Sequence, residues 1–186
     1  MAGKVFFNVS MSLDGFIAPD SPEELMGRQW MELQRWILAQ RYLRERLKLG
    51  AGGEEGRDND IVRETFERAG ASVMGKRMFD AGERAWPEEA PFRTPVFVVT
   101  HEKRDPWERP GGTTFHFVND GSEAATIVQY VNAALIDEFT IALSPVLFGS
   151  GVRLFEGVDA GRATLVPVRS EPTERVTHLT YGLRQG

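Results

Sequence analysis

An α/β domain is predicted, on three observations. Strand-like and helix-like patterns alternate along the chain. The run Pro95-Val96-Phe97-Val98-Val99-Thr100 is almost continuously apolar, as a strand buried on both faces would be. The stretch Ala71–Arg84 reads as a short strand (Ser72-Val73-Met74), a glycine turn at Gly75 and a helix opening with Lys76-Arg77-Met78-Phe79. The expected architecture is a three-layer α/β domain with antiparallel C-terminal strands, a single domain over residues 1–186.

Each element has its own signal. Val5–Met11 alternates loosely and is rich in β-formers, so it is a strand. Ser12-Leu13-Asp14-Gly15 is a turn, and Phe16-Ile17-Ala18 resumes extended chain before Pro19 and Pro22. From Glu23 to Leu49, Leu25, Trp30, Leu33, Ile37 and Leu47 recur among charges at near-helical spacing, which predicts a helix. Ala51–Asp60, glycine-rich and acidic, reads as a mobile surface loop. Asp58, Asn59 or Asp60 would cap a helix over Ile61–Ala69, with Val62, Phe66 and Ala69 on one face. Thr114–Val118 is a further strand. A helix starting at Gly121-Ser122 would turn Ile127, Val128, Val131 and Leu135 inward. Ile136–Phe148 is a long strand interrupted by Pro145, and Ala163–Val168 with Val176–Arg184 is a closing antiparallel pair in which Leu179, Tyr181 and Leu183 face the core.

Composition narrows the chemistry. The chain has 186 residues, enough for one well-buried α/β domain. Its net charge of -5 argues against a general nucleic-acid binder. The absence of cysteine removes disulfides and thiolate nucleophiles. His101, His116 and His178 lack the close spacing of a zinc site. No segment has the length of a membrane span, and the first apolar run reads as a strand rather than a leader, so a cytoplasmic protein is expected. Neither a serine-nucleophile elbow nor a Walker phosphate loop is present.

In a sheet of this type, ligands sit at the carboxyl ends of strands. Two such ends carry cations: Gly75-Lys76-Arg77, and Lys103-Arg104 beyond Thr100-His101. Strand, glycine and helix N-terminus make a phosphate cradle, with free N–H groups and a partial positive charge. Arg77 or Lys103 would suit a ribose phosphate. The alternatives are a plain glycine turn, a solvated Lys-Arg face and a loop histidine at position 101. The small, irregular exit of the first strand, Ser12–Ala18, would let a flat ring lie against it, or be an ordinary turn in which Asp14 bonds its own backbone. With no evident acid/base pair, hydride transfer fits better than hydrolysis, because the cofactor carries that chemistry.

Four segments resemble one family in order: VFFNVSMSLDGFIAPD (Val5–Asp20), VMGKRMFDAGE (Val73–Glu83), PVFVVTH (Pro95–His101) and LIDEFTIALSPVLFGSGVRLFEG (Leu135–Gly157). They are similar to the dihydrofolate-reductase-like superfamily, specifically the C-terminal reductase domain of the riboflavin-biosynthesis deaminase-reductase. The resemblance implies a three-layer α/β/α fold with a mixed, mainly parallel sheet, NADPH as hydride donor, a small heterocyclic substrate and a homodimer. By position, Gly75, Lys76, Arg77 and Met78 would meet the cofactor phosphates; Thr100, His101 and Lys103 would flank the adenosine end; Ser10, Ile17 and Ala18 would line the nicotinamide; Gly149 and Gly151 would shape the adjoining loop. No proton donor carries over. Trp30 and Trp36 lie where the family walls its substrate, though core packing also accounts for them. One departure stands out. Between the TTFHFV strand and the helix before IDEF, family members usually have a further helix, strand and Gly-Gly pair, on the order of 20 residues by usual element lengths. Here that interval is only Asn119–Ala125. The loss motivates a second expectation: a non-catalytic nucleotide-binding or dimeric scaffold on the same fold.

Overall fold

Residues 3–119, 127–161 and 163–185 are described by the structure, a computed structural model. In chain order the elements are β1 (Phe6–Ser12), β2 (Phe16–Ala18), α1 (Arg28–Leu33), α2 (Arg35–Leu38), α3 (Arg41–Arg46), α4 (Arg57–Arg68), β3 (Ser72–Gly75), α5 (Lys76–Ala85), β4 (Pro95–Val99), β5 (Trp107–Arg109), β6 (Thr113–Val118), α6 (Ile127–Asn132), β7 (Glu138–Ser144), β8 (Val152–Arg153), β9 (Ala163–Pro172) and β10 (Thr177–Gln185). They fall into two compact units, Met1–Trp36 with Thr126–Gly186, and Ile37–Ala125.

The first unit holds a sheet of order β1-β7-β10-β9. β1 and β7 run parallel, from Phe6 opposite Glu138 to Ser12 opposite Ser144. β10 is antiparallel to both β7 and β9, as the alternation of Leu179, Tyr181 and Leu183 predicts. Side chains alternate across a strand, so the two faces differ in chemistry. On one face Phe7, Val9, Met11, Phe139, Ile141, Leu143, Leu179 and Tyr181 form an apolar cluster closed by Leu154. The other carries Ser10, Ser12, Ser144, His178 and Thr180, all buried. Buried hydroxyls need partners. Thr180 and Thr140 share a hydrogen bond of 3.0 Å, and the Trp36 indole N–H donates to Ser10 Oγ at 2.9 Å. Trp36 is buried and meets the His178 ring edge-on at 5.0 Å, so it belongs to the packing of this face. A short antiparallel pair, β2 with β8, completes the unit.

The second unit holds a sheet of order β3-β4-β6-β5, parallel except for the edge strand β5. Its core is aromatic. Phe79 of α5 is fully buried and meets Trp86, Trp107, Phe115 and Phe117 at centroid distances of 6.1, 6.4, 5.2 and 5.2 Å. Val96 and Val98 fill the space beneath.

Three expectations of local structure change. The segment from Glu23 to Leu49 is not one helix but a 3-10 turn at Pro22–Glu24 followed by α1, α2 and α3. The break before α3 has a plain cause: Gln40 is extended and bridges the chain at Glu54, with Glu54 N donating to Ala39 O at 2.8 Å and Arg41 N to Glu54 O at 2.9 Å. The same bonds tie down part of the glycine-rich stretch that the sequence reads as a mobile loop. The next helix, α4, starts at Arg57, four residues early, with Gly56 at its N-cap. Asn59 is then inside the first turn, and its Oδ1 accepts from the Tyr42 backbone N–H at 2.8 Å instead of capping. The expected helix start at Gly121-Ser122, and most of the shortened interval before α6, lie outside the described residues.

Candidate functional site

In the second unit, the carboxyl ends of β3 and β4 form as predicted and lie side by side, with Gly75 in register with Val99. Gly75 is the N-cap of α5 and offers no side chain to its first N–H groups. A Cβ built there would meet nothing within 4 Å, so the backbone is open to close approach. Lys76 behaves differently from a waiting phosphate ligand. Its Nζ donates to both carboxylate oxygens of Asp80 at 2.7 Å and lies 3.2 Å from Glu102. The Asp80 hydrogen bond, then that of Glu102, raises its pKa above the ordinary lysine value. The lysine thus ties the start of α5 to the loop after β4.

That loop is built by Thr100. Its buried hydroxyl accepts from the Glu102 N–H at 3.0 Å, and its own N–H bonds Val118 O at 3.1 Å. His101 is exposed, and its carbonyl accepts from Asn119 Nδ2 at 2.7 Å. Lys103 and Met78 are also exposed. Arg104 turns onto the aromatic core instead: its guanidinium lies 4.7 Å from the Phe117 centroid and 2.7 Å from Glu83.

In the first unit, Ala18 and Gly151 lie against each other. β2 pairs with β8 through Ala18 and Val152. Gly151 adopts φ +143°, and a Cβ there would overlap the Ala18 carbonyl oxygen, so only glycine fits. Gly149 is left-handed at φ +76°. Ser10 is buried, with its hydroxyl donating to Gln34 Oε1 at 2.9 Å while accepting from Trp36.

Asp14 organises this cluster. Its carboxylate accepts from Ser12 Oγ at 2.6 Å, from Phe148 N at 3.1 Å and from Gly149 N at 2.7 Å. These donors, the Ser12 hydroxyl foremost and the Gly149 amide next, hold its pKa down at about 2 against an ordinary 3.8. Ser12 Oγ in turn accepts from Phe16 N at 2.9 Å. The Asp14 carboxylate therefore clamps a loop 134 residues distant as well as bonding within its own turn. The only advance signal was an acidic residue in a glycine turn, which does not say whose amides it binds.

A cavity of about 540 Å³ opens beside this clamp, wholly within the first unit, between the Glu24–Glu32 segment and residues 146–148. Gln29 Nε2 donates to the Phe148 carbonyl at 3.1 Å, so this wall is held from both sides. Nothing in the sequence marked it.

No protein-family model matches the chain, and no curated protein matches it. Solved structures do. A protein named for riboflavin biosynthesis from Shewanella sp. PV-4 superimposes with a TM-score of 0.65 at 21% identity, covering 98% of this chain and 99% of that one. A pyrimidine reductase-like protein of Corynebacterium diphtheriae gives 0.57 at 8% identity, over 99% and 93%. The diaminohydroxyphosphoribosylaminopyrimidine deaminase/5-amino-6-(5-phosphoribosylamino)uracil reductase of Thermotoga maritima gives 0.54 at 11% identity; 98% of this chain matches 57% of that one. At these identities the likeness is one of fold: the chain has the mixed α/β arrangement of these solved structures.

Proposed function

We propose that this chain is an NADPH-dependent reductase of a small heterocyclic substrate, acting as a cytoplasmic homodimer. The observation that carries the reading is the strand–glycine–helix junction at Gly75: open space over the glycine and an α5 N-terminus without a side-chain cap suit a phosphate on bare backbone N–H groups. NADPH would supply the hydride. Gly75, Lys76, Arg77 and Met78 would hold its phosphates, Thr100, His101 and Lys103 its adenosine end, and Ser10, Ile17 and Ala18 its nicotinamide, with Gly149 and Gly151 shaping the loop beside it. Ser10 would contribute through its neighbours Gln34 and Trp36, which already hold its hydroxyl. Asp14 would keep the Gly149 loop in place.

The second reading, a nucleotide-binding or scaffold protein without turnover, draws support from Lys76, whose charge is already neutralised by Asp80 and Glu102. A titration separates the two. NADPH and NADH are added to the purified chain and the quenching of its four tryptophans is followed. The reductase reading expects NADPH to bind more tightly than NADH, and Arg77→Ala to weaken NADPH by about tenfold, the loss of one charge-assisted contact. It also expects NADPH oxidation with 5-amino-6-(5-phosphoribosylamino)uracil or a related heterocycle. Binding without turnover on any such substrate favours the scaffold, and no binding of either nucleotide ends the reductase reading.

A further inference from the structure

The sheet of the second unit has one covered face and one open face. β3, β4 and β6 run parallel, and parallel strands are ordinarily buried on both sides. α5 covers one side, where Phe79 packs with Val96, Val98 and Phe115. The other side follows from the register, because partners across a ladder share a face. Val73 lies opposite Phe97, and Phe97 opposite His116. Val99 and Val118, two residues on, and Thr114, two residues back, join the same face. Val73, Phe97 and Val118 are 62%, 36% and 38% exposed, so no described element lies over them. The Phe97 ring stacks on His116 at 5.2 Å with an interplanar angle of 22°, which makes the middle of the face flat.

Charge narrows what can cover it. Charged residues are 26% of the chain, yet this face carries one formal charge, the Glu108 carboxylate opposite Thr114 on the edge strand β5. A charged partner would give up hydration and find no counter-charge at the centre. A flat, uncharged, apolar surface gives up nothing of that kind, and the same face of a second copy is such a surface. A two-fold axis would close the contact at two chains instead of letting it grow. We propose that two copies of this chain associate face on face through Val73, Phe97, His116 and Val118. The proposal rests on the homodimer in the reading above and on nothing about NADPH. With strands about 4.8 Å apart and about 3.3 Å per residue, the face measures roughly 14 by 16 Å. Two such faces stay near the lower limit of about 1,000 Å² for a specific interface, so the dimer is weak, with a Kd on the order of 100 µM.

The test is sedimentation equilibrium of the full chain, at concentrations from about tenfold below to about tenfold above that Kd. The average mass should rise from that of one chain toward that of two. Val73→Lys and Phe97→Lys, both at exposed positions, should each raise the Kd at least about tenfold, because the dimer would bury two ammonium groups without partners. Val168→Lys, on β9 and 60% exposed, should keep the Kd of the parent. Far-UV circular dichroism and melting temperatures equal to those of the parent separate a lost contact from a lost fold. NaCl at about 0.5 M should leave the Kd unchanged or lower it, since an uncharged contact has no attraction to screen. A parent that stays monomeric across the range would overturn the proposal and leave the face to a different chain. So would Val73→Lys and Phe97→Lys variants that dimerise as the parent does, a Val168→Lys variant that does not, or a dimer that salt dissolves. Adding NADPH to the same samples keeps the two ideas apart. NADPH binding by a parent that never dimerises removes the interface and retains the cofactor. A dimer that binds no NADPH does the reverse.

Discussion

The loop cluster of the first unit and the strand ends of the second are both predicted binding regions, yet they are held by different forces. Around Asp14, the bonds run from one carboxylate to backbone amides far away in sequence, and glycine geometry leaves a single arrangement. Around Gly75, the backbone is open, and of the nearby cations Lys76 is already paired with local acids and Arg104 is stacked on rings. The first region is stiff through polar bonds; the second rests on the aromatic core beneath it. Residue type alone therefore says little about availability: a lysine beside a glycine turn looks like a phosphate ligand until its Asp80 four residues on is counted.

The difference can be tested by breaking each support in turn. Phe79→Ala should have the largest effect, about 3–5 kcal/mol by denaturant unfolding, because it removes a fully buried ring at the centre of the second core. Gly151→Ala should follow, at about 1–3 kcal/mol, from forcing a side chain into a φ that only glycine tolerates. If the first region is as stiff as its bonds suggest, that variant should also shift the NMR signals of Ile17 and Ala18.

Asp14→Asn tests the clamp through pH. The folded-state pKa is lowered, so the stabilisation is present above the unfolded value near 4 and is lost as pH falls through about 2. Parent and variant should differ at pH 7 and converge by about pH 2, so a constant difference across that window would remove the carboxylate from its assigned role. Lys76→Met should have the smallest effect, at most about 1 kcal/mol, because its ion pairs are partly exposed. A larger loss would mean that the second region depends on polar bonds after all.

Much of the fold was legible. Period-two alternation marked β1 and β10, the apolar run marked β4, and the glycine junction placed β3 and α5. β5 was missed because three residues carry no period. The long predicted helix failed because Leu33, Trp36 and Leu43 all face inward, so the pattern reads through the bridge to Glu54 that interrupts it. Of the candidate site residues, Ala18 and Gly151 do touch. Neither the clamp by Asp14 nor the cavity beside Phe148 could be read, because both depend on contacts more than 110 residues apart.

One feature of the sheet has a consequence for synthesis on the ribosome. Among the described residues β1 pairs only with β7, Phe6 against Glu138, so the first strand emerges long before that partner exists. At usual elongation rates the wait is roughly 6–25 s. Residues 37–125 are contiguous and complete in that time, while Phe7, Val9 and Met11 remain an orphaned apolar stripe. The nascent chain is thus expected to carry a finished middle and an unfinished beginning, and its window for chaperone capture closes when Glu138–Ser144 leaves the exit tunnel.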